Sequence, residues 1–172
     1  MKKTTAFLVA LVCAVSATAC SRGNHNDPPP ESPNASVSAG PFISDPSEAA
    51  QKWLTTLLSA DTLHDSSPTA AQHRATAWAT GDLAKPDPDP VNGFGAQWYE
   101  LAKVKGRYEV TITTATEDQE PDTQTDAWRM YIATQHPIDQ SGKKVGDTIR
   151  GIYRIHLRLT ERGWRVQEYN LS

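Results

Sequence analysis

Residues 149–171 read IRGIYRIHLRLTERGWRVQEYNL, and this stretch decides the fold. Ile149, Tyr153, Ile155, Leu157 and Leu159 alternate with Arg150, Arg154, His156 and Arg158. That period of two sends one side chain into a core and the next into solvent. Glu161-Arg162-Gly163 makes a tight connection, and Trp164 to Leu171 returns as the last strand. Two earlier stretches share the period. Tyr108, Val110 and Ile112 alternate with Glu109, Thr111 and Thr113. Trp128, Met130 and Ile132 alternate with Arg129, Tyr131 and Ala133, and the bulkier set is expected to face the core. The whole predicts an antiparallel meander with one apolar and one polar face. An acidic loop over 117–126 and a polar loop over 136–147 should interrupt it.

Helices precede the strands. Asp45-Pro46-Ser47-Glu48 is a helix start: Asp45 can cap, Pro46 suits the first turn, and Glu48 stands at capping-box spacing. Ala49, Ala50, Trp53, Leu54, Leu57 and Leu58 then recur with helical period. A second helix is expected from Ser67-Pro68 through Ala71, Ala75 and Trp78, closed by Gly81. Asp82 to Gly93 reads as a proline-punctuated loop, and Phe94 to Lys103 as a short third helix.

Composition limits the function. The chain has 172 residues and a formal net charge of −3, too mild for a non-specific nucleic-acid binder. Its hydrophobic share of 38% does not supply a polytopic membrane protein. Both cysteines, Cys13 and Cys20, fall in the first 20 residues, so the chain beyond Cys20 has no disulfide, thiolate metal site or thiol nucleophile. Lys2 and Lys3 begin a segment whose apolar run, Ala6 to Ala19, is short for a membrane span and suits a signal peptide. Residues 20–41 carry five of the twelve prolines and almost no large apolar side chain, the composition of a disordered tether. The expected organisation is therefore a signal peptide over 1–19, a tether over 20–41 and one domain over 42–172.

Ala17-Thr18-Ala19-Cys20 resembles a bacterial lipobox, with Ala17 where that family prefers leucine. The resemblance implies cleavage before Cys20 and acylation of it, hence an extracytoplasmic domain held to the membrane by lipid. An ordinary secretory cut after Ala19 is the alternative. The domain itself resembles the cone-shaped α+β fold of nuclear-transport-factor-like and SnoaL-like domains. The pieces that carry it are DPSEAAQKWLTTLL, RYEVTITT, WRMYIAT and the 149–171 pair. The resemblance implies N-terminal helices packed in the concave face of a curved antiparallel sheet. A lipid-anchored, stand-alone copy is most similar to lipoproteins of Gram-positive actinobacteria, and some scaffolds of the superfamily belong to secretion and conjugation machines.

Charge is segregated. Residues 42–126 hold 6 Lys+Arg and 14 Asp+Glu, whereas 127–172 hold 8 and 4. Arg150, Arg154 and Arg158, with His156 between, should share one strand face over about 26 Å, and Arg165 or Gln167 could extend it. The row is a candidate docking stripe for an acidic partner, an envelope polymer or anionic headgroups. A merely solvated face, part of whose charge the acidic loop answers, is the competing reading.

Enzymes of the resembled superfamily put acid/base residues inside the cone, and Asp61 and His64 are the weak catalytic candidates here. No serine-hydrolase elbow, glycine-rich phosphate loop or metal-spaced histidine pair accompanies them. Trp53, Tyr99, Trp128 and Tyr153 are candidates to line an apolar pocket. The expected function is a non-catalytic binding or scaffold module in the cell envelope, without cofactor or metal. Its expected partners are the membrane, through acylated Cys20, an unidentified envelope protein or polymer, and a second copy in a homodimer. Nucleic acid is not among them. A carrier or sensor of a small hydrophobic ligand is the alternative, and an isomerase- or dehydratase-type enzyme using Asp61 and His64 comes after it.

Overall fold

A computed structural model describes residues 41–85, 94–115 and 120–172. The chain divides into two units, Met1–Ala35 and Ser36–Ser172, and every described residue belongs to the second. The signal peptide, Cys20 and all but the end of the tether lie outside the described residues, as do Glu117 and Asp118.

The fold is α+β. In chain order it runs α1 (Pro46–Leu58), α2 (Ala70–Ala75), two 3₁₀ turns (Thr76–Trp78 and Gly81–Ala84), α3 (Phe94–Lys103), β1 (Arg107–Thr114), β2 (Asp126–Ile138), β3 (Ile149–Thr160) and β4 (Gly163–Leu171). The strands form one antiparallel sheet in the order β1-β2-β3-β4.

Helix α1 starts where its capping residue dictates. The Ser47 N–H donates to Asp45 Oδ1 at 2.8 Å, and Pro46 occupies the first turn. Glu48 pairs with Lys52 at 3.2 Å, one turn along. The face made by Ala49, Ala50, Trp53, Leu54 and Leu58 is buried against the sheet, with Tyr131, Ile155, Leu157 and Val166 in the same core. Each large buried apolar side chain there contributes about 1.5–3 kcal/mol relative to exposure.

The second helix departs from expectation. It begins at Ala70, not Ser67, and ends at Ala75. A 3₁₀ turn then carries Trp78, Ala79 becomes extended, and Gly81, at φ +62°, opens a further 3₁₀ turn rather than closing a helix. The cause is the edge of β4. Ala79 bridges Val166 in parallel and the Thr80 N–H donates to Val166 O at 2.8 Å, pairing that a continued helix would forfeit. The same edge takes Ile43, which bridges Gly163 and accepts the Trp164 N–H at 2.8 Å. Gly163 sits at φ +83°, and a Cβ there would meet Ile43 O at 2.2 Å. Both conformation and clearance demand glycine.

The phase of β2 also differs. Over residues 127–133 the buried set is Ala127, Tyr131 and Ala133, and Trp128, Met130 and Ile132 lie half-buried on the opposite, outer face. Tyr131 fills the core on this face, its hydroxyl donating to Ser47 O on α1 at 3.3 Å, with the small Ala127 and Ala133 on either side. The inner residues of β2 also hold α1 along its length. Arg129 Nε donates to Ser47 Oγ at 2.8 Å, and Gln135 Nε2 to Leu58 O at 2.8 Å.

Candidate functional site

The outer face of the sheet is built from cross-strand rows fixed by register. Asp126 stands opposite Arg158, Trp128 opposite His156, Met130 opposite Arg154, Ile132 opposite Ile152 and Thr134 opposite Arg150. Strand alternation therefore brings Arg150, Arg154, His156 and Arg158 to one face, away from the core. The three arginines are exposed and His156 is half-buried.

Trp128 organises the middle of this face. The His156 ring stacks on it at 4.4 Å between centroids and 12° between planes. The Arg154 guanidinium lies 4.8 Å from the ring centroid, within cation–π range. Two carboxylates reach in. Glu120 Oε1 accepts from Arg154 at 3.0 Å, and Asp126 Oδ1 lies 3.1 Å from His156 Nε2. A hydrogen bond from Thr125, then one from His156 and the charges of Arg158 and His156, hold the Asp126 carboxyl below its ordinary pKa against slight desolvation.

Arg165 faces Arg158 in the register but does not extend an exposed row. It is buried, donating to Trp164 O at 2.8 Å and to Pro41 O at 2.9 Å. Burial, helped by nearby Arg162, lowers its guanidinium's pKa. Gln167 is half-buried and turns toward a cavity of about 450 Å³ that Asp82, Leu83, Glu168 and Tyr169 also line.

Asp61 and His64 are together, but at the surface turn that follows α1. Asp61 Oδ2 is 2.9 Å from His64 Nδ1, while the His64 side chain is 79% exposed. Partial desolvation opposes it, yet bonds from His64 and the Leu63 N–H, with the charges of His64 and Arg107, keep the Asp61 carboxyl below its ordinary pKa. The pair lacks the apolar wall that raises a carboxylate toward a general base's range. Both residues border an open cavity of about 440 Å³ whose other charged members are Asp65, Arg74 and Arg107. Asp65 and Arg74 carry no signal in the sequence. They stand nine residues apart across a turn, a spacing that no helix or strand period connects.

The four candidate pocket aromatics are not brought to one site. Trp53 and Tyr153 are buried in the core, Trp128 is on the outer face, and Tyr99 on α3 is 60% exposed. Tyr169 packs 5.0 Å from Trp53 and 6.4 Å from Tyr153, so the aromatic contact to these two comes from β4. Among the described residues no helix is long and apolar enough to cross a membrane, and no three His, Cys, Asp or Glu side chains cluster to hold a metal ion.

No family model and no curated protein matches this chain. Among solved structures, it is similar to the intermembrane space region of the chloroplast protein ARC6, at 13% identity and a TM-score of 0.31, over 75% of this chain and 97% of that one.

Proposed function

We propose that the chain is an extracytoplasmic lipoprotein, anchored through acylated Cys20, whose domain is a non-catalytic docking or scaffold module of the cell envelope. In this reading α1 lies in the concave side of a curved sheet, as in nuclear-transport-factor-like domains, and the outer face meets the partner. The observation that carries it is the row of Arg150, Arg154 and Arg158, exposed along one strand and set beside the Trp128–His156 stack. Aromatic and arginine side chains are the types that dominate binding energy in interfaces. A row of fixed cations also raises the encounter rate with an anionic partner.

The test uses the full chain solubilised from membranes. Wild type should migrate as a complex larger than one chain, and the Arg150→Glu, Arg158→Glu double variant as a lone chain with unchanged melting. A wild type that migrates alone overturns the docking reading. Cys20→Ala should leave the membrane fraction, and its retention there would overturn the anchor.

A further inference from the structure

The outer face already holds carboxylates of its own chain. Glu120 reaches Arg154, and Asp126 reaches His156 and acts on Arg158. The segment that carries them is fixed at two points. Both oxygens of Asp122 accept from Arg129, each at 2.7 Å, and Thr125 O accepts the Leu159 N–H at 2.8 Å. Between these points the backbone is committed, whereas Glu120 is an exposed arm laid over the row. Its pair with Arg154 leaves the two side chains 64% and 47% exposed, so it is weak and open to exchange.

The row is not uniformly cationic. Ile152, 39% exposed, stands between Arg150 and Arg154 on the same face, and Ile132 lies beside it across the register. An apolar side chain therefore separates the first two arginines, and the His156 ring, stacked on Trp128, separates the second from the third. An extended polypeptide matches that order, because its residues two apart share a face at roughly 6.6 Å spacing. A chain reading acidic, any, apolar, any, acidic would set a carboxylate on Arg150, an aliphatic group on Ile152 and a carboxylate on Arg154. A uniform polyanion offers nothing to Ile152, and a flat bilayer surface imposes no such spacing.

Building on the docking reading, we infer that the outer-face row takes an extended acidic segment of a partner polypeptide, and that Glu120 is a built-in competitor for Arg154. The Arg150 end is the open landing point, and full engagement requires the partner to displace Glu120.

The experiment measures fluorescence anisotropy of a labelled peptide repeating Glu-Ser-Val-Ser, with the full chain in uncharged detergent. Wild type should bind, and Glu120→Gln should bind about three-fold tighter, the size expected for removal of an exposed ion pair. Arg150→Glu should bind at least several-fold more weakly. Glu100→Gln, which removes the Lys103 pair on α3, should match wild type. Unchanged or weaker binding by Glu120→Gln overturns the competitor. A peptide that does not bind, while the Cys20→Ala chain adsorbs to phosphatidylglycerol vesicles through Arg150 and Arg158, overturns the polypeptide partner and leaves the docking reading standing. If Arg150→Glu and Arg158→Glu alter neither peptide binding, nor vesicle adsorption, nor the membrane-extracted complex, the docking reading fails as well.

Discussion

The side chain of Asp65 is only 2% exposed and holds the turn after α1 together. Its Oδ2 accepts the Asp61 N–H at 2.8 Å, and both of its oxygens bond the Arg74 guanidinium, which also donates to Ser59 O at 3.0 Å. A buried carboxylate is tolerable only while its charge and lone pairs are answered. Arg74 is half in water and loses little on its own account when the pair is broken, so the penalty falls on Asp65. Arg74→Met should therefore destabilise the domain by about 2–3 kcal/mol, below the full cost of breaking a wholly buried pair. Urea unfolding followed by tryptophan fluorescence would measure it. A loss below about 0.5 kcal/mol would show the pair to behave as an ordinary surface contact.

At the scale of elements, local chemistry is legible in the sequence and distant contacts are not. Asp45 and Pro46 start α1 because cap and first turn are set by neighbours in sequence. The period of two in 149–159 gives β3 its faces because the strand is long and its polar positions are charged. Expectation and structure part where remote residues decide. Helix α2 stops early because the edge of β4 captures Ala79 and Thr80. Strand β2 carries apolar groups on both faces, so side-chain bulk alone points Trp128, Met130 and Ile132 inward. Contact with α1 selects the face of Tyr131 instead, whose hydroxyl reaches Ser47 O, with Ala127 and Ala133 beside it in the core. The candidate site is legible in the same proportion. The arginine row follows from alternation within one strand, whereas its answer by Glu120 and the burial of Arg165 depend on chain from elsewhere. The phase of β2 makes a sharp prediction. Ala133→Leu, pressed into the closed core, should cost about 1–3 kcal/mol, while Ile132→Leu on the outer face should cost well under half of that. Paired denaturation curves decide it, and equal costs would mean the phase is wrong.

At the scale of the molecule, one arginine joins three layers. Arg129 donates to Ser47 on α1, to the backbone of Trp128 in the sheet, and with two nitrogens to Asp122 in the segment before β2. Its side chain is only 15% exposed, so the pair with Asp122 is shielded from water on the arginine's side. The bond from Arg129 holds the Asp122 carboxyl below its ordinary pKa, outweighing desolvation, and the same bond raises that of Arg129. These directions set the sign of the linkage. An unfolded Asp122 titrates near the usual ~3.9, and the folded one below it. Between the two values the unfolded chain binds more protons, so stability rises with pH there. The contribution is fully present above the unfolded value and is lost as pH falls through the folded one. Asp122→Asn should therefore destabilise the domain near neutrality, by about 1 kcal/mol given that Asp122 is 41% exposed. The gap between variant and wild type should narrow below about pH 4 and close once the wild-type carboxylate is protonated. Unfolding free energies across that range, at fixed ionic strength, test it. A gap independent of pH would mean that Asp122 holds the segment by shape and hydrogen bonding alone, with no contribution from its charge.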